Sequence, residues 1–535
     1  MHFFKSLRHT LALPLFAVLL CGCIKDGPEK KPFDNISAVI DNPATKVSGK
    51  EDGSNISQTW EVGDIIYGYN GKPSNTVKYS VSSVSDGKAS FVWAGSGNAP
   101  TVSDVSGKTF HMVCDGTNPS DMPADGIFPV DLRSQSGTLD DAVGRTCMAA
   151  SGTVAGNALE LTFSNLTALL KITPDEGFSI RGISSAYGLT PTGSLSVSDG
   201  KMTFTPGSKD DISITGSTSG TTVYVAIPAT TIIGLEVWES NGSSEKVARS
   251  TSAQTAAASK CYTFSKPFEP RFHNSLPGLF SISGSEQISF AKGNLQYNPS
   301  GDAWRFAPNQ FDVIGSGNAN VSSTYDGWID LFGWGTTGEE YTSPLSSPDA
   351  LAPWSTSATD SSYGPAYTSA SEHYSYNYLN PGWNSDWGCH FSGFRTLSDE
   401  EWDYLLFRET TLLYGGYATV CEVKGIILIP DSFVDPQKNG GDKAFVYDNG
   451  TYDYTDNSYD EQGWAYMEIA EAVFLPCTGW RIEEDYNSPG LLGQYWSNTG
   501  IAGGKAVEMS FDSESIGVEY AAPRSHGLPV RLVCY

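Results

Sequence analysis

Charged residues are scarce in this chain of 535 residues, and positive charge is scarcer than negative. Asp, Glu, Lys and Arg make up 17% of the chain, and 33 basic against 60 acidic side chains give a formal net charge of −27. A nucleic acid would be repelled, and no basic stripe is visible, so nucleic-acid binding is disfavoured. High glycine and short apolar runs between Ser, Thr and Asn are instead typical of an extracellular all-β protein.

The sequence also lacks the usual motifs of catalysis and metal binding. It contains no C-x-x-C pair and no G-x-S-x-G nucleophile elbow, which removes the support for a zinc ribbon, a thioredoxin-type site or a hydrolase. The histidines are isolated and do not have the spacing of a zinc helix. We therefore expect no enzyme activity, no cofactor and no metal.

Long apolar runs are missing as well. After Lys5 and Arg8 comes LALPLFAVLL, a run of ten residues, which suits a signal peptide and is too short for a membrane span. The next residues, LCGC, resemble the bacterial lipoprotein box. This resemblance implies a signal peptide over 1–22, cleavage between Gly22 and Cys23, lipidation of Cys23 and a tether over 23–34. The alternative is an ordinary secretory signal with an incidental cysteine.

Two stretches of short alternating strands follow, over 35–150 and 151–268. The first strand, NISAVID, places Ile36, Ala38 and Ile40 on one face, as a half-buried strand requires. Turn residues separate the later apolar segments at regular intervals. The sequence therefore predicts two tandem β-sandwich domains.

Three segments of this region resemble the fimbrillin family, the β-sandwich subunits of lipoprotein-derived pili: WEVGDI from Trp60, ALLKITP, and VYVAIPATTIIGLEV. The resemblance implies that a protease removes the first strand and that a strand of another subunit fills the groove. NISAVID would be the removed strand, and Lys46 the candidate processing site. The family favours Arg at that site, whereas this segment offers only Lys46 and Lys50, and a solvated loop lysine is the alternative for Lys46.

The segment SKPFEPRFHNSLPG, residues 265–278, is rich in proline and breaks the strand pattern, which predicts a linker over 269–279. Beyond it, GFRTLSDEEWDYLL predicts a capped helix. Ser398 and Glu401 form the S-x-x-E capping box, and Trp402 faces a core with the leucines after it. We expect these carboxylates to cap the helix rather than to catalyse, because they stand at an exposed helix start.

The same helix, with ISFAKGNLQYNPSGDAWRF, GWIDLFGWGT, KGIILIPD, AVFLPCTGWR, GQYWSN and RSHGLPVRLV, resembles the formylglycine-generating enzyme and the related major paralogous domain. The resemblance covers about 280–535. It implies an α+β C-type lectin-like domain whose last strand, PVRLVCY, returns to its start. The enzyme's close pair of copper-binding cysteines is missing, and we expect Cys477 and Cys534 to form a disulfide instead.

A long loop within 335–387 could recognise a ligand. Its aromatic rings could stack on sugar rings, and its polar groups could bond to hydroxyls. Burial of these aromatics in an irregular core is the alternative. The candidate residues are Trp354, Trp383, Asn384, Asp386 and Trp387.

These features predict a mainly β surface protein with two fimbrillin-like domains and an α+β lectin-like domain. The leading hypothesis is a pilus tip or minor subunit that accepts a donor strand and recognises a glycan or protein. It would be anchored to the outer membrane by lipid and would contact other pilus subunits. The alternative is a freestanding surface lipoprotein that binds its ligand without polymerising.

Overall fold

The computed structural model of this chain describes residues 32–41, 45–52, 55–114, 123, 125–272, 274–320, 322–334, 393–408, 410–501 and 503–535. The expected mainly β class is confirmed, since short strands in several sheets form most of the regular structure and the helices are few and short. No helix in the described ranges has the length and apolar character of a membrane span.

The described residues between 32 and 165 form eleven strands and two short helices. They are β1 (Ile36–Ile40), β2 (Thr45–Asp52), β3 (Asn55–Gln58), β4 (Ile65–Asn70), β5 (Thr76–Ser85), β6 (Lys88–Trp93), α1 (Val102–Val105), β7 (Thr109–Cys114), β8 (Phe128–Asp131), β9 (Ser134–Gln135), α2 (Leu139–Gly144), β10 (Met148–Thr153) and β11 (Leu159–Asn165).

Seven of these strands form a closed barrel in the order β1-β11-β10-β7-β4-β5-β6. The hydrogen bonds run round it without a break, so the first of the two predicted sandwiches is a closed sheet. Strands β2 and β3 form a separate two-stranded ribbon. Hydrogen bonding does not divide at residue 150, because β10 and β11 complete the barrel while β8 and β9 join sheets further along the chain.

The second β-unit consists of β8, β9 and the strands from 167 to 270. The latter are β12 (Thr167–Ile172), β13 (Ser179–Ser184), β14 (Thr192–Ser198), β15 (Lys201–Pro206), β16 (Ile212–Ile214), β17 (Val223–Pro228), β18 (Thr231–Ile232), β19 (Glu236–Ser240), β20 (Glu245–Arg249), β21 (Gln254–Thr255), β22 (Cys261–Phe264) and β23 (Glu269–Pro270).

Two sheets of this unit, β17-β12-β22 and β23-β20-β19-β13-β16-β9, enclose one apolar core. A third sheet has the order β15-β14-β8. A separate apolar cluster joins the unit to the barrel, with Tyr67 and Val113 of the barrel and Leu195 and Ala226 of the second unit among its members. The two β-units therefore share a buried contact.

The segment predicted to be a linker begins with a short strand. Strand β23 pairs with β20 at the edge of the six-stranded sheet, where Glu269 is opposite Val247 and Pro270 is opposite Lys246. The amide of Arg271 then donates to Glu245 O. Proline is tolerated because an edge strand leaves one side of its backbone unpaired. Residues 269–271 thus continue the second unit.

The C-terminal unit mixes small sheets with two longer helices. Its elements are β24 (Phe280–Ser281), β25 (Gln287–Phe290), β26 (Leu295–Asn298), β27 (Ala303–Phe306), β28 (Phe394–Arg395), α3 (Asp399–Phe407), β29 (Gly415–Val420), β30 (Val423–Leu428), β31 (Asn457–Tyr459), α4 (Glu461–Ile469), β32 (Val473–Pro476), β33 (Trp480–Ile482), β34 (Asp485–Asn487), β35 (Gly493–Ile501), β36 (Lys505–Phe511), β37 (Ile516–Pro523) and β38 (Val533–Cys534), with 3-10 turns at Gly315–Ala319 and Pro436–Asn439.

The last strand returns to the start of this unit, as expected. Strand β38 lies between β25 and β28, with Cys534 opposite Ser289 and Phe394. Before it, Val530 O accepts from the amide of Leu295 and Leu532 O from that of Ala291. The final segment is therefore tied into the core of the C-terminal unit.

Candidate functional site

The barrel strand β1 is the candidate functional site, because it precedes the other six barrel strands in the chain and closes the barrel between β6 and β11. It runs parallel to β11, with Ile36 opposite Leu159 and Ile40 opposite Phe163. On its other side it runs antiparallel to β6, with Ala38 opposite Ala89. Without β1, the barrel would present two unpaired edges facing one gap.

The expected burial pattern of β1 is confirmed. Ile36, Ala38 and Ile40 are buried inside the barrel, whereas Val39 is 38% exposed and Ser37 is half-buried. Burial of a side chain the size of Ile stabilises the folded state by about 1.5–3 kcal/mol. A strand in this position buries two large apolar side chains and is hydrogen-bonded on both sides. The position therefore favours a strand in which apolar residues alternate.

Two further contacts lie around β1, one before the strand and one on the outer face of the barrel. Before it, Phe33 is buried against Phe110, with ring centroids 5.8 Å apart, and its amide donates to Pro100 O. Outside the barrel, Lys88 of β6 and Glu160 of β11 form a 2.9 Å ion pair. Because these residues stand on the two neighbours of β1, the ion pair spans the outer face of the strand.

The candidate processing site lies just after β1, in a strand rather than in the loop that the sequence suggested. Lys46 and Lys50 both belong to β2, which pairs with β3. The register of this ribbon shifts between Thr45 and Lys50, so Lys46 falls in its irregular part. A protease would have to bind the chain where the ladder is interrupted.

The remaining predicted site residues lie outside the described residues. Gly22 and Cys23 precede residue 32, where the description begins. The five candidate ligand-binding residues fall within 335–392 and lie outside it as well: Trp354, Trp383, Asn384, Asp386 and Trp387. Lipidation and ligand recognition therefore stay predictions.

The acidic run at the start of α3 is a helix cap, as predicted. The Ser398 hydroxyl accepts from the Glu401 amide at 3.1 Å, and the Glu401 carboxylate accepts from the Ser398 amide at 2.8 Å. Arg395 binds both oxygens of Glu401 at 2.7 Å. Trp402 is fully buried. Glu401 thus has structural partners for both of its oxygens.

The expected disulfide between Cys477 and Cys534 is not formed, and both are free thiols. Cys477 lies 3.7 Å from the Tyr454 hydroxyl, whereas the backbone of Cys534 pairs with β25 and β28. Burial raises the pKa of each thiol to about 12. Such thiols stay protonated at neutral pH and are poor nucleophiles and metal ligands.

Two buried carboxyls have raised pKa values. Burial raises the pKa of Asp330 to about 6, although Asn318 donates to it, and burial raises that of Glu508 to about 7, although Gln494 donates to it. Asp330 is fully enclosed, so it has no access to a substrate. Within the described ranges, no group of three or more His, Cys, Asp or Glu side chains could hold a metal ion.

Sequence reasoning missed a charged contact between the second β-unit and the C-terminal unit. Arg249 contacts Glu236 of its own unit at 3.6 Å and crosses to Glu471 at 3.1 Å and to the carbonyl of Glu468 at 2.8 Å. Arg271 binds Glu236 at 2.6 Å. A cavity of about 70 Å³ adjoins this contact. No local signal could have revealed it, because the partners are more than two hundred residues apart.

No protein-family model matches the chain, and no curated protein matches it. Among solved structures, a candidate cell adhesion protein from Bacteroides uniformis is 19% identical over 46% of this chain and 98% of its own, with a TM-score of 0.30. A fimbrial assembly protein from Parabacteroides distasonis is 12% identical over 52% of this chain and 99% of its own, with a TM-score of 0.26. A fimbrial protein from Bacteroides ovatus is 10% identical over 94% of this chain and all of its own, with a TM-score of 0.21. Likeness at this level establishes neither a shared fold nor a shared function.

Proposed function

We propose that this chain is a surface subunit of a lipoprotein-derived pilus that accepts a donor strand in place of β1 and carries the C-terminal unit as an adhesin. In this proposal Cys23 first anchors the precursor to the outer membrane. A protease then cuts after Lys46 or Lys50 and releases β1, and a strand of another subunit fills the gap. The proposal is for a binding protein, with no enzymatic step.

The observation that carries the proposal is the place of β1 in the barrel. Strand β1 precedes the other six barrel strands in the chain and pairs only with β11 and β6, so a single cut after it would release it and leave the other six joined. The unpaired edges of β6 and β11 would then be a template for strand addition. The buried positions now held by Ile36, Ala38 and Ile40 would fix the register of the incoming strand, because its apolar side chains must face the barrel interior.

The terminal segment supports a place at the tip. Val530, Leu532 and Val533 are buried, and β38 is paired on both sides. This segment is not free to leave the C-terminal unit and enter the gap of a neighbour. A subunit that accepts a strand and does not donate this segment would end a growing filament.

Recognition of a glycan or protein is assigned to the C-terminal unit. In this proposal tryptophan rings stack on sugar faces, and Asn and Asp side chains form hydrogen bonds with hydroxyls. The candidate residues are Trp354, Trp383, Asn384, Asp386 and Trp387. The second candidate function is a freestanding surface lipoprotein with the same ligand. It is favoured by the complete closure of the barrel with β1 in place, since a closed sheet has no edge to offer.

The test is mass spectrometry of the mature N-terminus, on protein purified from the surface of its native host. We expect a start just after Lys46 or Lys50. In a Lys46→Gln variant the start after Lys46 should disappear, whereas a Lys72→Gln control, at an exposed turn of the barrel, should leave the N-terminus unchanged. An N-terminus that remains the intact lipidated Cys23 would overturn the pilus proposal and favour the freestanding lipoprotein.

A further inference from the structure

The gap left by β1 has a defined polarity. Five residues of β1 are in register with β11 in the parallel sense, and three are in register with β6 in the antiparallel sense. An incoming strand that runs in the same direction as β1 would reproduce both of these pairings. A strand in the opposite direction would be antiparallel to β11 and parallel to β6, and would meet neither edge in its present register.

The inward-facing positions of β1 hold large side chains at its two ends and a small one in the middle. Ile36 lies between Leu159 and Phe91, and Ile40 lies beside Phe163. The middle position holds Ala38, opposite Leu161 of β11 on one side and Ala89 of β6 on the other. Two small side chains thus stand next to each other on the inner surface of the barrel.

Trp60 explains why the middle position is small. Its indole is buried in the same core as β1 and makes edge contacts with Phe91 at 5.5 Å and with Phe163 at 5.2 Å. These two rings belong to the strands that flank β1, near its opposite ends. The indole therefore takes up the interior between the two isoleucine positions, and close-packed interiors do not accept additional methylene groups without strain.

We infer that the partner is a strand with a large apolar residue, one variable residue, a residue no larger than alanine, one variable residue and a second large apolar residue. This inference rests on the proposed function, because it describes the strand that would replace β1. A large ring three residues before the first apolar position would fill the place of Phe33, which is buried. The two variable positions face outward, under the ion pair of Lys88 and Glu160.

The test is a competition between peptides for the emptied barrel. A cleavage sequence for a site-specific protease is inserted between Asn42 and Pro43 of the full chain, and the cut protein is incubated with labelled peptides in mild denaturant. The reference peptide has the sequence of residues 31–42. Variant peptides carry Ala38→Leu or Ile36→Ala, and a control peptide carries Val39→Thr on the outer face.

We expect the reference and the Val39→Thr peptide to bind with the same affinity. Ala38→Leu should bind at least about tenfold more weakly because it overfills the middle of the gap, and Ile36→Ala should be weakened by about the same factor because it leaves a cavity. Equal binding of the Ala38→Leu peptide would overturn the inferred pattern while leaving strand acceptance intact. Failure of every peptide, the reference included, would overturn strand acceptance itself and with it the inference.

Discussion

Replacement of Arg249 by methionine should loosen the C-terminal unit from the second β-unit. Burial raises the pKa of Glu236, but Arg271 and Arg249 outweigh this effect and hold it below its usual value, so the carboxylate is charged at neutral pH. Removing one partner of a buried ion pair costs about 3–5 kcal/mol. In this case Glu236 keeps Arg271 as a partner, and the side chain of Glu471 is 29% exposed to solvent. We therefore expect Arg249→Met to lower the free energy of unfolding by a smaller amount, about 2–3 kcal/mol.

Differential scanning calorimetry of the full chain measures this effect. A loss of that size should lower the melting temperature of the transition that contains the C-terminal unit by roughly 4–10 °C. The matched control is Arg181→Met, at an exposed position of β13 in the same unit, for which a change within about 2 °C is expected. In a double-mutant cycle, Arg249→Met and Glu471→Gln should be non-additive. Equal shifts for the two arginine variants would refute the role of Arg249 as a connection between the units.

Two further predictions concern the C-terminal unit. The pKa of Glu508 is raised to about 7 in the folded protein, so the protonated form is favoured and stability falls as pH rises from about 4.5 to 7. Glu508→Gln should therefore have a larger free energy of unfolding than the wild type at pH 8, by about 3 kcal/mol, and the difference should vanish near pH 4. The same gain at both pH values would contradict this. Ser398→Ala should destabilise α3 by about 1 kcal/mol, because the amide of Glu401 loses the hydroxyl that accepts its hydrogen bond. The loss is measurable as faster hydrogen exchange at the start of α3. Ser398→Asp should restore the protection, since Asp also caps a helix; no recovery would contradict the role of the cap.

The local pattern of β1 was readable from the sequence, but its partners were not. Alternation of Ile36, Ala38 and Ile40 follows from the two-residue period of a strand, and the structure has the same residues buried. Closure of the barrel depends on the parallel pairing of β1 with β11, more than a hundred residues away. Such pairing leaves no trace in either segment alone, since any buried strand would show the same alternation.

The linker predicted over 269–279 begins, in the structure, with a short edge strand. Pro270 reads as a break in the strand pattern, yet it lies in β23, at the edge of a six-stranded sheet. The distinction between a flexible linker and an edge strand depends on whether a neighbouring strand lies on one side, which is a property of the tertiary fold. The capping box of Ser398 and Glu401 was predicted correctly for the opposite reason, because both partners lie within one helical turn.

The two ends of the described chain differ in how they are held, and this difference argues for the first strand as the exchangeable one. Strand β1 contributes side chains to one core only, that of the barrel, and the other six barrel strands remain joined in a continuous ladder without it. The terminal segment contributes Val533 to one core of the C-terminal unit and Leu532 to another. Arg531, next to both, is fully buried and donates to the side-chain oxygen of Gln310. Extraction of the terminal segment would open two cores and expose a buried polar contact, whereas extraction of β1 opens one core along a single gap. Of these two terminal segments, β1 is therefore the one whose replacement disturbs less of the folded structure.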